Sequence, residues 1–428
     1  MTRRRVGPTG SGGRTRRPAP GTRPVPGAEQ EPGAVPAGES ASAPGGGSAP
    51  GGGSLPGGGS APGGGSILGA GSAPAPDIFI PAGELPGIAA DAGAEAPGAA
   101  DTRAADDRPD REPIPFAGIV RRRVVVDVPA TTANLGSGYD ALAMALDLVN
   151  RVTVEVVAGP SVELTVRGEG EGQLAGDRQN RFVVALELGI RWALGEVPDG
   201  IGWRIEMRNE IPLSRGLGSS AAATVAGLVA ADALTGGRLD SRRQLELACE
   251  LEGHPDNASA ALLGGFVVVA MTGGRPEAVR FDVPARLRAV LFVPDRPLST
   301  TAMRAALPRE VPHRDAVFNV GRAALAVAAI TSGRYALLRE ATEDRLHEPY
   351  RAAAYPELPL LVSAAREAGA LGACLSGAGS SIIAFADDEP TLEAAGEAMA
   401  RVAAEHGLPG RIRPIAPRNA GPIVVDEE

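Results

Sequence analysis

The run Pro212-Leu213-Ser214-Arg215-Gly216-Leu217-Gly218-Ser219-Ser220-Ala221-Ala222 leads into an alanine-rich apolar segment that closes at Gly236-Gly237. This spacing predicts a glycine loop opening a helix. Glycine adopts positive φ and lets the backbone approach an anion closely. The first N–H groups of a helix have no internal partner and lie at the positive end of its dipole. Two hydroxyls at that end, Ser219 and Ser220, can reach a phosphate or its Mg²⁺. Taken alone, the run fits a plain serine-capped helix start equally well.

Glu250-Leu251-Glu252-Gly253-His254-Pro255-Asp256-Asn257 is the second string with chemical content. Ser241 with Gln244 three residues on forms a capping-box pattern for the preceding helix, and Gly253 and Pro255 end it. Glu252 then falls in the last turn, where its charge opposes the helix dipole. A residue set against a local rule is a candidate for function. A bound Mg²⁺ compensates such a charge, and carboxylate, hydroxyl and phosphate oxygens make an ordinary Mg²⁺ shell. On its own the position also suits a solvated glutamate.

Two more polar strings flank these. Leu375-Ser376-Gly377-Ala378-Gly379-Ser380-Ser381 precedes the apolar Ile382–Phe385. It reads as a plain β-turn or as a glycine turn packed against a phosphate loop. Val128-Pro129-Ala130-Thr131-Thr132-Ala133-Asn134-Leu135-Gly136-Ser137-Gly138-Tyr139-Asp140 places one amide and one carboxylate at a strand end. They suit a small polar substrate, or an ordinary strand-to-helix connection with an Asx turn.

The chain has no lysine; its 42 basic residues are all arginine. A Walker A loop, a protein-kinase site and a pyridoxal Schiff base each need a lysine, so none can be built here. Phosphate chemistry must rest on backbone N–H groups, arginine, hydroxyls and metal.

The elements that must hold these residues can be read from periodicity. Strand-like runs are Val124–Val128, Arg151–Val157, Val162–Arg167, Trp203–Arg208, Gly265–Met271, Arg288–Val293 and Ser381–Ala386. Helical patterns cover Phe182–Leu194, Ser219–Leu234, Arg242–Leu251, Ala316–Thr331, Tyr335–Glu340, Pro359–Ala368 and Pro390–His406. The mixture, with hairpin-like strand pairs, predicts an α+β fold.

Together the four strings resemble the homoserine kinases of the GHMP kinase family. The order matches over about residues 119–420, and two linking strings agree as well: Leu298-Ser299-Thr300-Thr301-Ala302-Met303-Arg304 and His347-Glu348-Pro349-Tyr350-Arg351. The resemblance implies transfer of the ATP γ-phosphoryl group to the hydroxyl of L-homoserine, giving O-phospho-L-homoserine for threonine synthesis. It implies a two-domain fold, with a ribosomal-protein S5-like N-terminal domain over 119–284 and a ferredoxin-like domain over 285–420. Residues 421–428 are set aside as a tail.

By the same resemblance, the loop from Pro212 to Ala222 wraps the phosphates, and Ser220 and Glu252 hold Mg²⁺, with Glu250 the alternative. Asn134, Asp140 and Asn257 contact the acceptor; Arg304 and Arg351 hold its carboxylate, with Thr300 beside them. Asn257, Arg304, Ser220 and Glu252 carry the catalysis. The chemistry is apt: an amino acid needs an acid for its ammonium and bidentate arginine for its carboxylate. Ser380 departs from the family, which usually carries proline there. A mevalonate kinase-like mechanism pairs an aspartate with a lysine and is disfavoured by composition. A non-catalytic GHMP-fold binder is the other alternative.

Residues 1–118 are rich in Gly, Pro, Ala and Ser, with GGGSAP and GGGSLP repeats between about Gly45 and Ser66. Such a segment cannot bury enough apolar surface to offset its ordering entropy and is expected to be disordered. Its first 23 residues hold seven arginines and no acid. No apolar h-region follows Arg3-Arg4-Arg5, so an export signal is not expected. Residues 119–428 carry 32 arginines against 39 acids, which weighs against nucleic-acid binding. No apolar run is long enough to span a membrane. With two cysteines in apolar contexts, a cytoplasmic setting is expected, and a homodimer is left open.

Overall fold

The computed structural model describes residues 118–425. The readings of residues 1–117 given above lie outside the described part. The first half contains β1 (Arg123–Ala133), β2 (Leu142–Ala158), β3 (Val162–Gly168), α1 (Arg181–Leu194), β4 (Ile201–Asn209), α2 (Ser219–Thr235), α3 (Ser241–Glu252), α4 (Asp256–Leu263), β5 (Phe266–Thr272) and β6 (Arg275–Phe281). The second contains β7 (Arg288–Pro294), α5 (Thr300–Ala305), α6 (His313–Ser332), α7 (Leu338–Ala341), α8 (Glu348–Arg351), α9 (Leu358–Glu367), β8 (Gly372–Leu375), β9 (Ile382–Ala386), α10 (Glu389–Glu405), β10 (Gly410–Ile415) and β11 (Ile423–Val425). The fold is α+β, in two halves that each set helices against a sheet.

The first sheet runs β11-β1-β2-β4-β3, with β5 on β2 and β6 on β5. Its neighbours are antiparallel except β3 on β4. The second is β10-β7-β9-β8, antiparallel throughout. The period of two is legible in β7. Ala289, Leu291 and Val293 join the core shared with the first half, whereas Val290 and Phe292 join the apolar cluster on the other face. Residues 421–425 do not trail free: β11 pairs with β1 through Val125–Val425 and its neighbours.

α2 is apolar all round, as befits a helix with little solvent contact. It packs on α1 at close range through small residues. A Cβ at Gly227 would meet the Phe182 carbonyl oxygen at 2.5 Å, and one at Gly189 would meet the Ala231 Cβ at 2.6 Å. These contacts advance together along both helices, so α1 and α2 run in the same sense and present their N-termini at one end.

Two local readings need correction. The N-cap of α3 is Asp240, whose side chain accepts from Arg243 N–H, and not Ser241. Aspartate caps as well as serine does, and Gln244, which a capping box would turn back onto the N-cap N–H, instead donates to the Leu239 carbonyl at 2.8 Å. The segment after Ala133 leads into strand β2 and not into a helix. Its turn has three consecutive residues at positive φ: Asn134, Leu135 and Gly136. Among the described residues, no helix is long and apolar enough to cross a membrane.

Candidate active site

The glycine loop does open a helix. Gly218 is the N-cap of α2, in the left-handed region, with no side-chain cap bond. The serine-capped alternative is therefore not what forms. The first ladder bond runs from Ala222 N–H to the Gly218 carbonyl at 2.8 Å. The N–H groups of Ser219, Ser220 and Ala221 thus lie ahead of the ladder. Gly216 and Gly218 have φ of +73° and +69°, and both face crowded surroundings. A Cβ at Gly216 would sit 2.0 Å from the Ser376 carbonyl oxygen; one at Gly218 would sit 1.9 Å from Thr131 Oγ1.

The second glycine turn packs against this loop. Ser376 Oγ donates to the Gly216 carbonyl at 2.7 Å, and Ser381 N–H donates to the Arg215 carbonyl at 3.0 Å. Ser380 is fully buried and its hydroxyl donates to the Arg296 carbonyl at 2.7 Å. That bond ties the turn to the segment that follows β7.

A cleft of about 450 Å³ opens over the loop. Pro212, Ser214, Arg215, Gly216, Leu217, Gly218, Ser219, Ser220 and Ala221 line it, together with Glu252, Asn257, Asn134, Thr300, Arg304 and Arg351. Leu213 and Ala222 do not; Ala222 faces the core. Asp140 lies just behind Arg304. A more open hollow of about 540 Å³, lined by Glu169, Glu171, Glu210, Arg411 and Arg413, is separate and contains none of the loop residues. Its arginines already pair with acids, Arg411 with Glu169 at 2.6 Å and Arg413 with Glu210 at 3.5 Å.

At the loop, Ser220 Oγ donates to Glu252 Oε1 at 3.0 Å and Thr224 Oγ1 donates to the same oxygen at 2.6 Å. The Glu252 side chain is only 5% exposed. Glu250 is exposed and absent from the cleft lining. Among the described residues, no three His, Cys, Asp or Glu side chains lie together as a protein-only metal cage. A buried carboxylate beside a hydroxyl and free helix N–H groups fits Mg²⁺ sharing its shell with phosphate oxygens. Glu252 and Ser220 are the residues that could hold it.

At the acceptor end, Arg304 and Asp140 form a two-pronged pair. Nη2 reaches Oδ1 at 2.7 Å and Nη1 reaches Oδ2 at 3.0 Å, while Nη1 also donates to Tyr139 Oη at 2.8 Å. Asn134 ties the turn together. Its Oδ1 accepts from Asp140 N–H at 3.0 Å and its Nδ2 donates to the Gly377 carbonyl at 2.8 Å. Arg351 is 1% exposed. Its Nη1 donates to His347 Nδ1 and to the Gly377 carbonyl, both at 3.0 Å, and Nε reaches the Met303 carbonyl at 3.4 Å. Only Nη2 makes no hydrogen bond with the described residues. Burial, first of all, lowers its pKa from the ordinary arginine value.

Asn257 links the two ends. Its Oδ1 accepts from Thr131 Oγ1 at 2.8 Å, and its Nδ2 lies 3.3 Å from Asp256 Oδ1. Asp256 also holds His254 Nδ1 at 2.7 Å. Burial alone would lower the His254 pKa; the hydrogen bond and charge of Asp256 outweigh it and raise the value above ordinary. Behind Arg351, His347 is completely buried and its Nε2 donates to the Gly136 carbonyl at 2.7 Å. Burial pushes its pKa down to about 4, against the opposing charge of Asp344. Glu348 Oε1 accepts from Leu375 N–H at 2.7 Å, and burial pushes its pKa up to about 7.

Sequence reasoning did not single out Arg181, Thr224, His254, Asp256, Thr301 or His347. Arg181 carried a readable signal, a cation in the first turn of a helix, where it opposes the dipole as Glu252 does in a last turn. His254 and Asp256 stood inside a string already marked.

Family comparison agrees with this geometry. The model for the GHMP kinases N terminal domain matches residues 181–265, and that for the GHMP kinases C terminal matches residues 326–405. The homoserine kinase of Moorella thermoacetica is 40% identical over 302 residues, 70% of this chain and 99% of that protein. That of Streptomyces coelicolor is 48% identical over 267 residues, 62% of this chain and 84% of the relative. The crystal structure of homoserine kinase from Cytophaga hutchinsonii has a TM-score of 0.65 and 30% identity, covering 72% of this chain and 98% of that one. Relatives matched over nearly their whole length, on a fold that brings the glycine loop and the paired arginine site into one cleft, settle the assignment: the chain belongs to the homoserine kinase family of the GHMP kinases.

Proposed function

We propose that the chain transfers the γ-phosphoryl group of ATP to the side-chain hydroxyl of L-homoserine, forming O-phospho-L-homoserine, a step of threonine synthesis. The observation that carries the reading is a single cleft with two kinds of recognition. One end has N–H groups, a hydroxyl and a carboxylate suited to phosphate and Mg²⁺. The other has two arginines, with Asp140 paired to Arg304 just behind the lining, a set suited to a zwitterionic amino acid. On this reading residues 119–284 form the ATP-binding domain and 285–420 the second, with β11 returning to the first sheet.

The roles follow from the contacts. The N–H groups of Ser219, Ser220 and Ala221 take phosphate oxygens. Ser220 and Glu252 would hold Mg²⁺, which when bound would supply charge neutralisation on the transferring group. Arg304 exchanges Asp140 for the substrate carboxylate, Asp140 takes the ammonium, and Arg351 Nη2 adds one donor. Arg351 therefore acts as a single prong and not as the full fork expected from the sequence, because its other nitrogens hold the scaffold. Asn257, gripped by Thr131 and Asp256, aims the hydroxyl. Phosphoryl transfer rests mostly on positioning and charge, so a strong base is not required. With Nδ1 donating to Asp256, His254 Nε2 is the ring's acceptor and can receive the hydroxyl proton.

The test is turnover of purified protein with ATP and Mg²⁺ against L-homoserine, L-serine, L-threonine and mevalonate. L-Homoserine should be the preferred acceptor, and its product should be the O-phosphate. Preference for mevalonate would overturn the acceptor reading. Nucleotide binding with no turnover of any acceptor would favour a non-catalytic binder.

A further inference from the structure

Four arginines line the cleft among the described residues: Arg181, Arg215, Arg304 and Arg351. Three of them are committed. Arg215 spends its donors on backbone carbonyls, those of Pro294 at 2.7 Å, Leu213 at 2.8 Å and Asp295 at 2.5 Å. Arg304, paired with Asp140, and Arg351, held mostly by scaffold contacts, belong to the acceptor end of the cleft. Arg181 is different. Its side chain is 43% exposed, its Nε lies 3.7 Å from Glu252 Oε1, and its Nη1 reaches the Leu251 carbonyl at 3.4 Å. Both contacts are long for arginine, and neither is the fork geometry that holds a guanidinium firmly.

Its position is also unfavourable without a ligand. Arg181 begins α1, directly after the N-cap Asn180, where a cation opposes the helix dipole. α1 and α2 present their N-termini at the same end, so Arg181 stands beside the phosphate loop. Its neighbour Glu252 is bonded to Ser220 of that loop. With no lysine in the chain, the triphosphate's charge must be met by arginine and metal.

We propose that Arg181 is a nucleotide-phosphate-binding residue. Its guanidinium leaves Glu252 as the polyphosphate enters, takes phosphate oxygens, and leaves the Glu252 carboxylate to the metal. The inference rests on the kinase reading above, for the nucleotide half of the site only.

Calorimetric titration of the full chain with AMP, ADP and ATP tests it, in EDTA and again with Mg²⁺, without acceptor. Arg181→Gln should leave AMP affinity nearly unchanged and weaken ATP roughly tenfold or more, with ADP between, since charge-assisted contacts to phosphate are lost. Arg181→Lys should recover part of that loss, because a point charge still serves; a merely structural role would make lysine no better than glutamine. The EDTA titrations are repeated in a Glu252→Gln background. A direct contact predicts that the Arg181→Gln penalty persists there. Its disappearance would show that Arg181 only balances Glu252, and would overturn the proposal, as would an equal penalty for all three nucleotides or none. Wild-type protein that binds no nucleotide in either buffer would refute the kinase reading itself.

Discussion

Asp140→Asn separates recognition of the acceptor from everything else in the cleft. Asp140 sits at φ +53°, a conformation asparagine tolerates as well as aspartate, so the backbone of the turn survives. The amide oxygen can still accept from Arg304. The Asp140–Arg304 pair is part-exposed, 31% and 35%, so its loss should change stability by no more than about 1 kcal/mol. Substrate binding is another matter. Losing a charged partner for the ammonium costs about 1.5–3 kcal/mol. Freeing Arg304 from its internal competitor returns up to about 1 kcal/mol on the carboxylate. The balance, roughly 0.5–3 kcal/mol, is a fall of about 2- to 160-fold in kcat/KM for L-homoserine. The control is 4-hydroxybutyrate, which keeps the carboxylate and hydroxyl but has no ammonium. For it only the Arg304 gain applies, so the variant should match or exceed the wild type by up to about fivefold. ADP release at saturating ATP, measured against each acceptor, reads both numbers. Equal losses for the two acceptors, or a parallel rise in KM for ATP, would refute the assignment of Asp140 to the ammonium.

Glu252→Gln keeps an acceptor for Ser220 and Thr224 but removes the charge. Turnover with Mg²⁺ should fall by roughly 10²-fold or more at unchanged melting temperature, and near-normal turnover would remove Glu252 from the metal site. Gly218→Ala drives a methyl group to within 1.9 Å of Thr131 Oγ1, which braces Asn257. A displacement of that kind costs on the order of 10²-fold in kcat, and a variant with normal kcat would show the loop to be slack. Glu348→Gln concerns pH. Glu348 binds its proton more tightly folded than unfolded, from 4.5 to about 7, so stability should fall as pH rises through that window, by up to about 3 kcal/mol. His347, depressed from 6.5 to about 4, has the opposite slope. The wild type should therefore be nearly flat between about pH 4.5 and 6.5. Glu348→Gln keeps the acceptor for Leu375 N–H and should leave a curve that rises across that range in urea melts, whereas an unchanged flat curve would mean the two groups do not titrate as described.

The elements legible in the sequence were those long enough to show a period. The long helices α2, α6 and α10 could be placed within a few residues, whereas of β2 only the later half, where buried and exposed residues alternate, was legible and its fully buried start at Leu142–Leu146 was missed. Those missed are short or atypical. α5 and α8 have six and four residues, too few for a helical stripe. β6 is an edge strand of sequence RPEAVRF, whose proline and charges read as a loop until β5 supplies a partner. β8 is four buried residues without alternation, since both of its faces are covered.

The site was legible wherever local chemistry alone distinguished a residue, and illegible where its partner is remote in sequence. The glycine loop could be named from its own string. That Gly216 needs to be glycine because the Ser376 carbonyl stands 2.0 Å from where a Cβ would go depends on a turn 160 residues later. The same holds for Arg351: its resemblance suggested a free fork, but contacts with His347, Met303 and Gly377 leave one nitrogen for substrate. Arg181 and Glu252 show how such distant pairs can still leave a local trace. Each is the wrong charge for its own helix end, a cation at the start of α1 and an anion at the end of α3. Each misplacement alone amounts to only several tenths of a kcal/mol and is easily ignored. Their occurrence together, on helix ends whose side chains meet at 3.7 Å beside a phosphate loop, is what a site needs if it must hold opposite charges against each other until a polyanion and its metal arrive to part them.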